Sequence, residues 1–280
     1  MSIAKKFSAS LVFAVCLLFV LLCGYASADE TDTGAELEEA PVYVDGLLSC
    51  RGYRIGDDTY VSFEAACAVL GYDAVFDYDK EIDKLTVEVA GIEITVGCAD
   101  EYMCANGRYI YLPDGYREVE GSFVVPTEAL AKIFTLTYQW DEKLGAINFI
   151  TADEQILTSG DEYYNEDDIY WMSRIITWES GNQPVEGQIA VGNVILNRVG
   201  DSRFGQTVKD VIFQPGQFSV VSSGAINGQP YAISEICAKL VYEGYNTVGN
   251  ALFFQTGRYW GSSMIETTWV AKIGDHNFFM

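Results

Sequence analysis

Histidine is nearly absent. The 280-residue chain has one, His276, close to its C-terminus, and no two cysteines stand in a CxxC spacing. Zinc sites draw on several His or Cys ligands, and a Ser-His-Asp triad needs a placed imidazole base. Both chemistries are disfavoured, and no metal or cofactor is expected. Basic residues are also scarce: 17 Lys and Arg face 40 Asp and Glu, a formal net charge of -23. Nucleic-acid binding needs a basic face that displaces counterions, so the charge argues against nucleic acid and against anionic lipid. What the chain does have is apolar residues at 49%, with 5 Trp, 18 Tyr and 15 Phe. That is enough to bury a core. The length allows about two domains at ~150 residues each.

The N-terminus has the layout of a secretory signal peptide over residues 1–28. Lys5 and Lys6 precede the apolar stretch Leu11 to Leu22, and Ala26-Ser27-Ala28 is a small-x-small cleavage site. The apolar run is short for a span of ~20 residues, so cleavage is expected rather than anchoring, with no membrane contact afterwards. Cys50, Cys67, Cys98, Cys104 and Cys237 remain after cleavage. Export permits one or two disulfides among the first four. Cys67, in an Ala-rich apolar run, reads equally as a buried thiol. Residues 29–40 are acidic without apolar periodicity and read as a solvated linker.

From Pro41 the texture changes to short alternating runs, with Asp45-Gly46 as a hairpin turn. An internal repeat is present. Tyr60 to Ala66 leads into Leu70-Gly71-Tyr72, Phe76-Asp77 and Leu85-Thr86-Val87. Val124 to Leu130 leads into Ile133-Phe134, Trp140-Asp141 and Ala146 to Phe149. Each unit reads as strand, helix, strand, strand, and two such units make one small α+β module over residues 41–150. The phrase Val125-Pro126-Thr127-Glu128-Ala129-Leu130 followed by Trp140-Asp141-Glu142-Lys143 resembles the copper amine oxidase N-terminal-like domain. The resemblance implies a non-catalytic module for binding or spacing. Copper is not expected, because this region has no His.

Residues 151–166 are polar and turn-rich and read as an inter-domain linker. A helix is expected from Asp167 or Asp168 as N-cap, with Ile169, Met172, Ile175 and Ile176 at helical spacing, to about Glu179. A second runs from near Pro184 to Gly200. Further expected elements are a helix near Ile233–Tyr245, a strand near Ala251–Gln255 and a closing strand near Val270–Phe279. Glu179 stands at the end of an apolar helix directly after Trp178. Burial against apolar walls disfavours the charged carboxylate and raises its pKa, and a neutral carboxyl can protonate a glycosidic oxygen. On residues alone, this role and an ordinary solvated helix end both stand.

The stretch Trp178-Glu179-Ser180-Gly181-Asn182-Gln183-Pro184-Val185-Glu186-Gly187-Gln188-Ile189-Ala190-Val191 resembles the signature of the SleB/CwlJ-type cell wall hydrolases, the spore-cortex-lytic family. The likeness continues through Asn197-Arg198, Phe213-Gln214-Pro215-Gly216-Gln217-Phe218 and Ile273-Gly274-Asp275-His276-Asn277-Phe278-Phe279. It covers residues 167–280; Ser180, Gly181 and Asn182 depart from the family phrase. The resemblance implies a mostly helical, lysozyme-like domain with a small β-sheet, and so an α+β protein overall. It implies a secreted enzyme acting on peptidoglycan glycan strands as a lytic transglycosylase, with Glu179 as its single catalytic carboxyl. Gln188 and Asn197 are candidates to orient Glu179 or hold acetamido groups. Gln217 and Phe218, on a Pro-Gly turn, are candidates to meet a sugar, and Tyr259 and Trp260 to stack on one. Glu186 reads as a helix-start charge and His276 as structural. A muramoyl-alanine amidase and a non-catalytic wall-binding germination protein are the alternatives; the single His argues against a zinc amidase. Neither oligomeric state nor the choice between spore cortex and vegetative wall is written in the sequence.

Overall fold

The computed structural model describes residues 37–97, 99–152, 156–257 and 268–280. The signal peptide, most of the acidic linker, Cys98, Tyr259 and Trp260 lie outside them. The chain divides into two compact units: residues up to Asp100 with Asp114–Leu157, and Glu101–Pro113 with Thr158–Met280.

In chain order the elements begin with β1 (Leu37–Val44), β2 (Leu47–Ile55), β3 (Asp58–Ser62), α1 (Phe63–Val69), β4 (Ala74–Asp79), β5 (Lys84–Val89) and β6 (Ile92–Gly97). The hairpin β7 (Tyr102–Ala105) and β8 (Arg108–Tyr111) follows. Then come β9 (Arg117–Val119), β10 (Ser122–Pro126), α2 (Thr127–Ile133), β11 (Thr137–Asp141) and β12 (Ala146–Ile150). The two repeats are visible as β3-α1-β4-β5 and β10-α2-β11-β12. Their leading strands pair antiparallel, Val125 opposite Val61. In the first unit the sheet order is β11-β12-β1-β2-β3-β10-β9, with β1 and β12 parallel. A separate antiparallel meander of β4, β5 and β6 shows alternating burial, as period-2 patterning requires. Ser62 caps α1, its Oγ accepting from the Ala65 N–H at 3.3 Å. Asp45 and Gly46 both take positive φ, the conformation a two-residue hairpin turn demands.

Two expectations change here. Residues 37–40 are not linker but the start of β1: Leu37 to Ala40 pair with Ile55 to Gly52, and Ala40 is buried. Glu38 and Glu39 are both exposed, and Glu39 meets Arg51 at 2.9 Å. Among the described residues Cys50, Cys67 and Cys237 are free thiols. Burial pushes the Cys67 thiol up to about 12.

The second unit contains α3 (Gly160–Tyr163), α4 (Glu166–Ser180), α5 (Val185–Val199), α6 (Val208–Phe213), α7 (Ser219–Ser222), α8 (Ala232–Tyr242), β13 (Phe253–Thr256), β14 (Trp269–Ile273) and β15 (His276–Phe279). Its core is built from Met172, Ile175 and Ile176 of α4, Ile189, Val194 and Ile195 of α5, Ile212 of α6, Leu240 of α8 and Phe278. α5 passes close to α8 because residue 192 is glycine: a Cβ there would stand 2.7 Å from Val241 Cγ2. The N-cap of α4 is Asn165, whose Oδ1 accepts from the Asp168 N–H, so the helix starts two or three residues earlier than Asp167 or Asp168 implied. The stretch read as linker is also structured in part. Leu157 is buried, and Ser159 caps α3.

Residues 101–113 belong to this unit, not to the module that flanks them in sequence. The cause is a buried ion pair. Arg108 donates from Nε and Nη2 to the two oxygens of Glu243 at 2.8 and 2.7 Å. Both side chains are almost fully enclosed. The Tyr164 hydroxyl donates to Glu243 at 2.6 Å and accepts from the Tyr109 N–H. The Gly160 N–H donates to Asn106 O at 2.8 Å.

Candidate active site

α4 carries its apolar stripe into the core and ends at a loop, Gly181 to Pro184, that turns the chain into α5. Glu179 lies in that last turn, half-buried. Its neighbours on the helix are locked: Ser180 Oγ donates to Ile176 O at 3.0 Å, and Thr177 Oγ donates to Ser173 O while accepting from the Tyr231 N–H. The carboxyl is therefore presented from a backbone that cannot swing. It opens into a cleft of about 640 Å³, lined also by Asn182, Gln183, Thr256, Lys272, Asp275 and His276. The far wall is the three-stranded antiparallel sheet, ordered β13-β15-β14.

Burial raises the Glu179 pKa above the usual carboxylate range, and the positive charge of Arg198 offsets part of that rise. Arg198 is itself buried. Its Nε donates to Leu252 O at 2.7 Å, and its guanidinium lies over the rings of Phe204, Phe218 and Phe253. Its Nη1 is enclosed with no hydrogen-bond partner, and its pKa falls to about 10. This cation steadies the Glu179 carboxylate through space once the proton has left. His276 is 2% exposed, its Nδ1 has no partner, and burial lowers its pKa against the opposing charge of Asp275.

Gln183 bridges two sides of the cleft lining. Its Oε1 accepts from the Asp275 N–H at 2.8 Å, and its Nε2 donates to Asn182 Oδ1 and Asp275 Oδ2. That ties the β14–β15 turn to the start of α5. The closing segment is thus a hairpin rather than the single strand expected over Val270–Phe279.

The remaining sequence candidates are not placed in this cleft. Gln188 is buried, donating to Gln183 O at 3.0 Å and accepting from Ser234 Oγ at 2.7 Å, so both ends of its amide are occupied. Asn197 donates to Gly249 O and Ala251 O and fastens the loop before β13. Phe218 is core, stacked on Phe254 under Arg198, and reaches the site only through that arginine. Gln217 is exposed on its turn and does not line the cleft. Tyr259 lies outside the described residues. Glu186 is exposed on the first turn of α5, and its charge adds to the rise that burial gives the Glu101 pKa. Arg198, Gln183 and Asp275 carried no role in the sequence reading. The signal was their place inside the family phrases around Asn197-Arg198 and Gly274-Asp275-His276. Among the described residues no group of three or more His, Cys, Asp or Glu could hold a metal ion.

Residues 182–279 match the family described as Cell Wall Hydrolase, and residues 49–148 match the Copper amine oxidase N-terminal domain. The spore cortex-lytic enzyme of Bacillus cereus is 36% identical over 116 residues, 41% of this chain and 45% of the relative. That of Oceanobacillus iheyensis is 34% identical over 121 residues, 41% of this chain and 42% of the relative. The match thus spans less than half the length of these curated relatives. A solved structure, described as the catalytic domain of the germination-specific lytic transglycosylase SleB from Bacillus anthracis, is 35% identical. It covers 42% of this chain and 97% of its own, with a TM-score of 0.39.

Proposed function

The chain carries a cell wall hydrolase domain over residues 182–279, and from that premise we propose that it cleaves the glycan strands of peptidoglycan as a lytic transglycosylase. The observation that carries the assignment is Glu179. It stands three residues before the matched segment and shares its cleft with Lys272, Asp275 and His276 of that segment. Burial raises its pKa against the opposing charge of Arg198, which favours the protonated form a general acid needs. Glu179 gives its proton to the glycosidic oxygen as the bond from C1 of N-acetylmuramic acid breaks. The resulting carboxylate, steadied by Arg198, takes the proton of the C6 hydroxyl. That oxygen closes on C1 and leaves a 1,6-anhydro ring. The nucleophile is part of the substrate, so one carboxyl serves both proton transfers.

Asp275 on the same cleft supports a second reading, hydrolysis, in which a carboxylate activates a water instead. The names of the relatives favour spore cortex as the substrate, and export by the N-terminal segment would deliver the enzyme there. The copper amine oxidase N-terminal-like domain would serve as a wall-binding or spacing module. Purified cortex and vegetative peptidoglycan, incubated with the full chain, should lose turbidity, and Glu179→Gln should abolish the loss. Equal loss with both proteins would remove Glu179 from the chemistry.

A further inference from the structure

α4 has a second cavity, about 450 Å³, that the glycan chemistry leaves unused. It is lined from the other side of the helix: at 3.6 residues per turn, Tyr170 and Arg174 point about 180° and about 140° away from Glu179. Arg174 is only 8% exposed. Its Nη1 donates to the Tyr170 carbonyl of its own helix at 3.1 Å, and its guanidinium lies 3.5 Å over the Tyr170 ring. Its Nε is enclosed with no partner. Among the described residues no carboxylate pairs with it. A guanidinium held this deep without a counter-charge is costly, and its planar donors match a carboxylate. The cavity is also lined by Asp161 and Glu166, both exposed. These repel a polyanion and favour an ammonium group. Glu235 on the same wall is already engaged with Lys239 at 3.3 Å. Ile169, Pro230 and the Tyr164 and Tyr170 rings also line the cavity and suit the aliphatic chain that carries such a group.

We infer that this cavity binds the free zwitterionic end of a peptide, carboxylate on Arg174 and ammonium toward Asp161 and Glu166. Resting on the reading above that the substrate is peptidoglycan, the peptide is a wall stem peptide, whose diamino diacid presents both groups on one carbon. Such a site would hold the enzyme on the wall by a strand other than the one being cut.

The test is calorimetric titration of the full chain with the glycan-free tetrapeptide L-Ala-γ-D-Glu-meso-diaminopimelate-D-Ala. Saturable one-to-one binding is expected, unchanged in Glu179→Gln and at least tenfold weaker in Arg174→Met. The same tetrapeptide with its carboxylates amidated should also bind at least tenfold weaker, a comparison that leaves the protein's fold untouched. No saturable binding, or equal affinity for the amidated peptide, overturns the site. Glycan strands stripped of peptide separate the two readings. Their cleavage by a chain that binds no tetrapeptide defeats this inference alone. Tetrapeptide binding without cleavage of any glycan keeps the site and defeats the proposed activity.

Discussion

The central side chain is a glutamate whose environment, not its identity, sets its chemistry. Glu179→Gln keeps the shape and removes the transferable proton. Glycan cleavage should fall by about 10² to 10⁴, the usual weight of general acid–base catalysis, with the circular dichroism spectrum unchanged. The same variant should reveal the burial cost. A carboxyl whose folded pKa is raised stabilises the fold below the ordinary carboxylate range, and that contribution is lost as pH rises through the folded value. Glu179→Gln should therefore melt higher than the parent at pH 7, and the difference should close as the pH is lowered toward 4. A constant difference across that range would mean the carboxyl is not desolvated. Arg198 opposes the rise, so Arg198→Met should move the alkaline limb of the pH–rate profile upward. Glu179 drew attention through the family phrase that begins at Trp178, since its place at the end of an apolar helix read equally as a solvated helix end. Gln188 and Asn197 were not legible, since an amide's sequence position does not say whether it faces a cleft or a neighbouring carbonyl.

Helices α4 and α5 were legible from their spacing of Ile, Met and Val. The start of β1 was misread as linker because charge patterning is a weaker instruction than strand pairing: Glu38 and Glu39, on opposite faces of the strand, are both exposed while the backbone pairs with β2. The closing hairpin was read as one strand because its turn is only two residues, Gly274-Asp275, between β14 and β15. Gly274 takes φ +55, and a Cβ there would overlap the Gln183 side-chain amide. Gly274→Ala combines left-handed backbone strain, about 1–2 kcal/mol for a residue with a Cβ, with displacement of the amide that ties the turn to α5. Chemical denaturation should show a loss of at least that size, and cleavage should weaken with it. An unaltered midpoint would mean that Gln183 does not hold the turn.

The least legible feature joins residues far apart in the chain. Arg108 and Glu243 are 135 positions apart, and nothing in either local sequence announces the pair. Yet it draws residues 101–113 out of the module-like stretch and into the catalytic unit. Removing one partner leaves a buried charge uncompensated, so Arg108→Met should cost about 3–5 kcal/mol, read as a lowered denaturation midpoint of that unit. The excess acid, by contrast, was legible and lies mainly elsewhere: residues 29–150 hold 25 acidic and 8 basic side chains, residues 151–280 hold 15 and 7. The scarcity of histidine left a reaction that one carboxyl can run. The most direct test of that account is the mass spectrum of peptidoglycan fragments released by the full chain. It should show glycan ends as 1,6-anhydro-N-acetylmuramic acid, absent from the Glu179→Gln digest. Stem peptides released from intact glycan, or anhydro ends that persist without the Glu179 carboxyl, would contradict it.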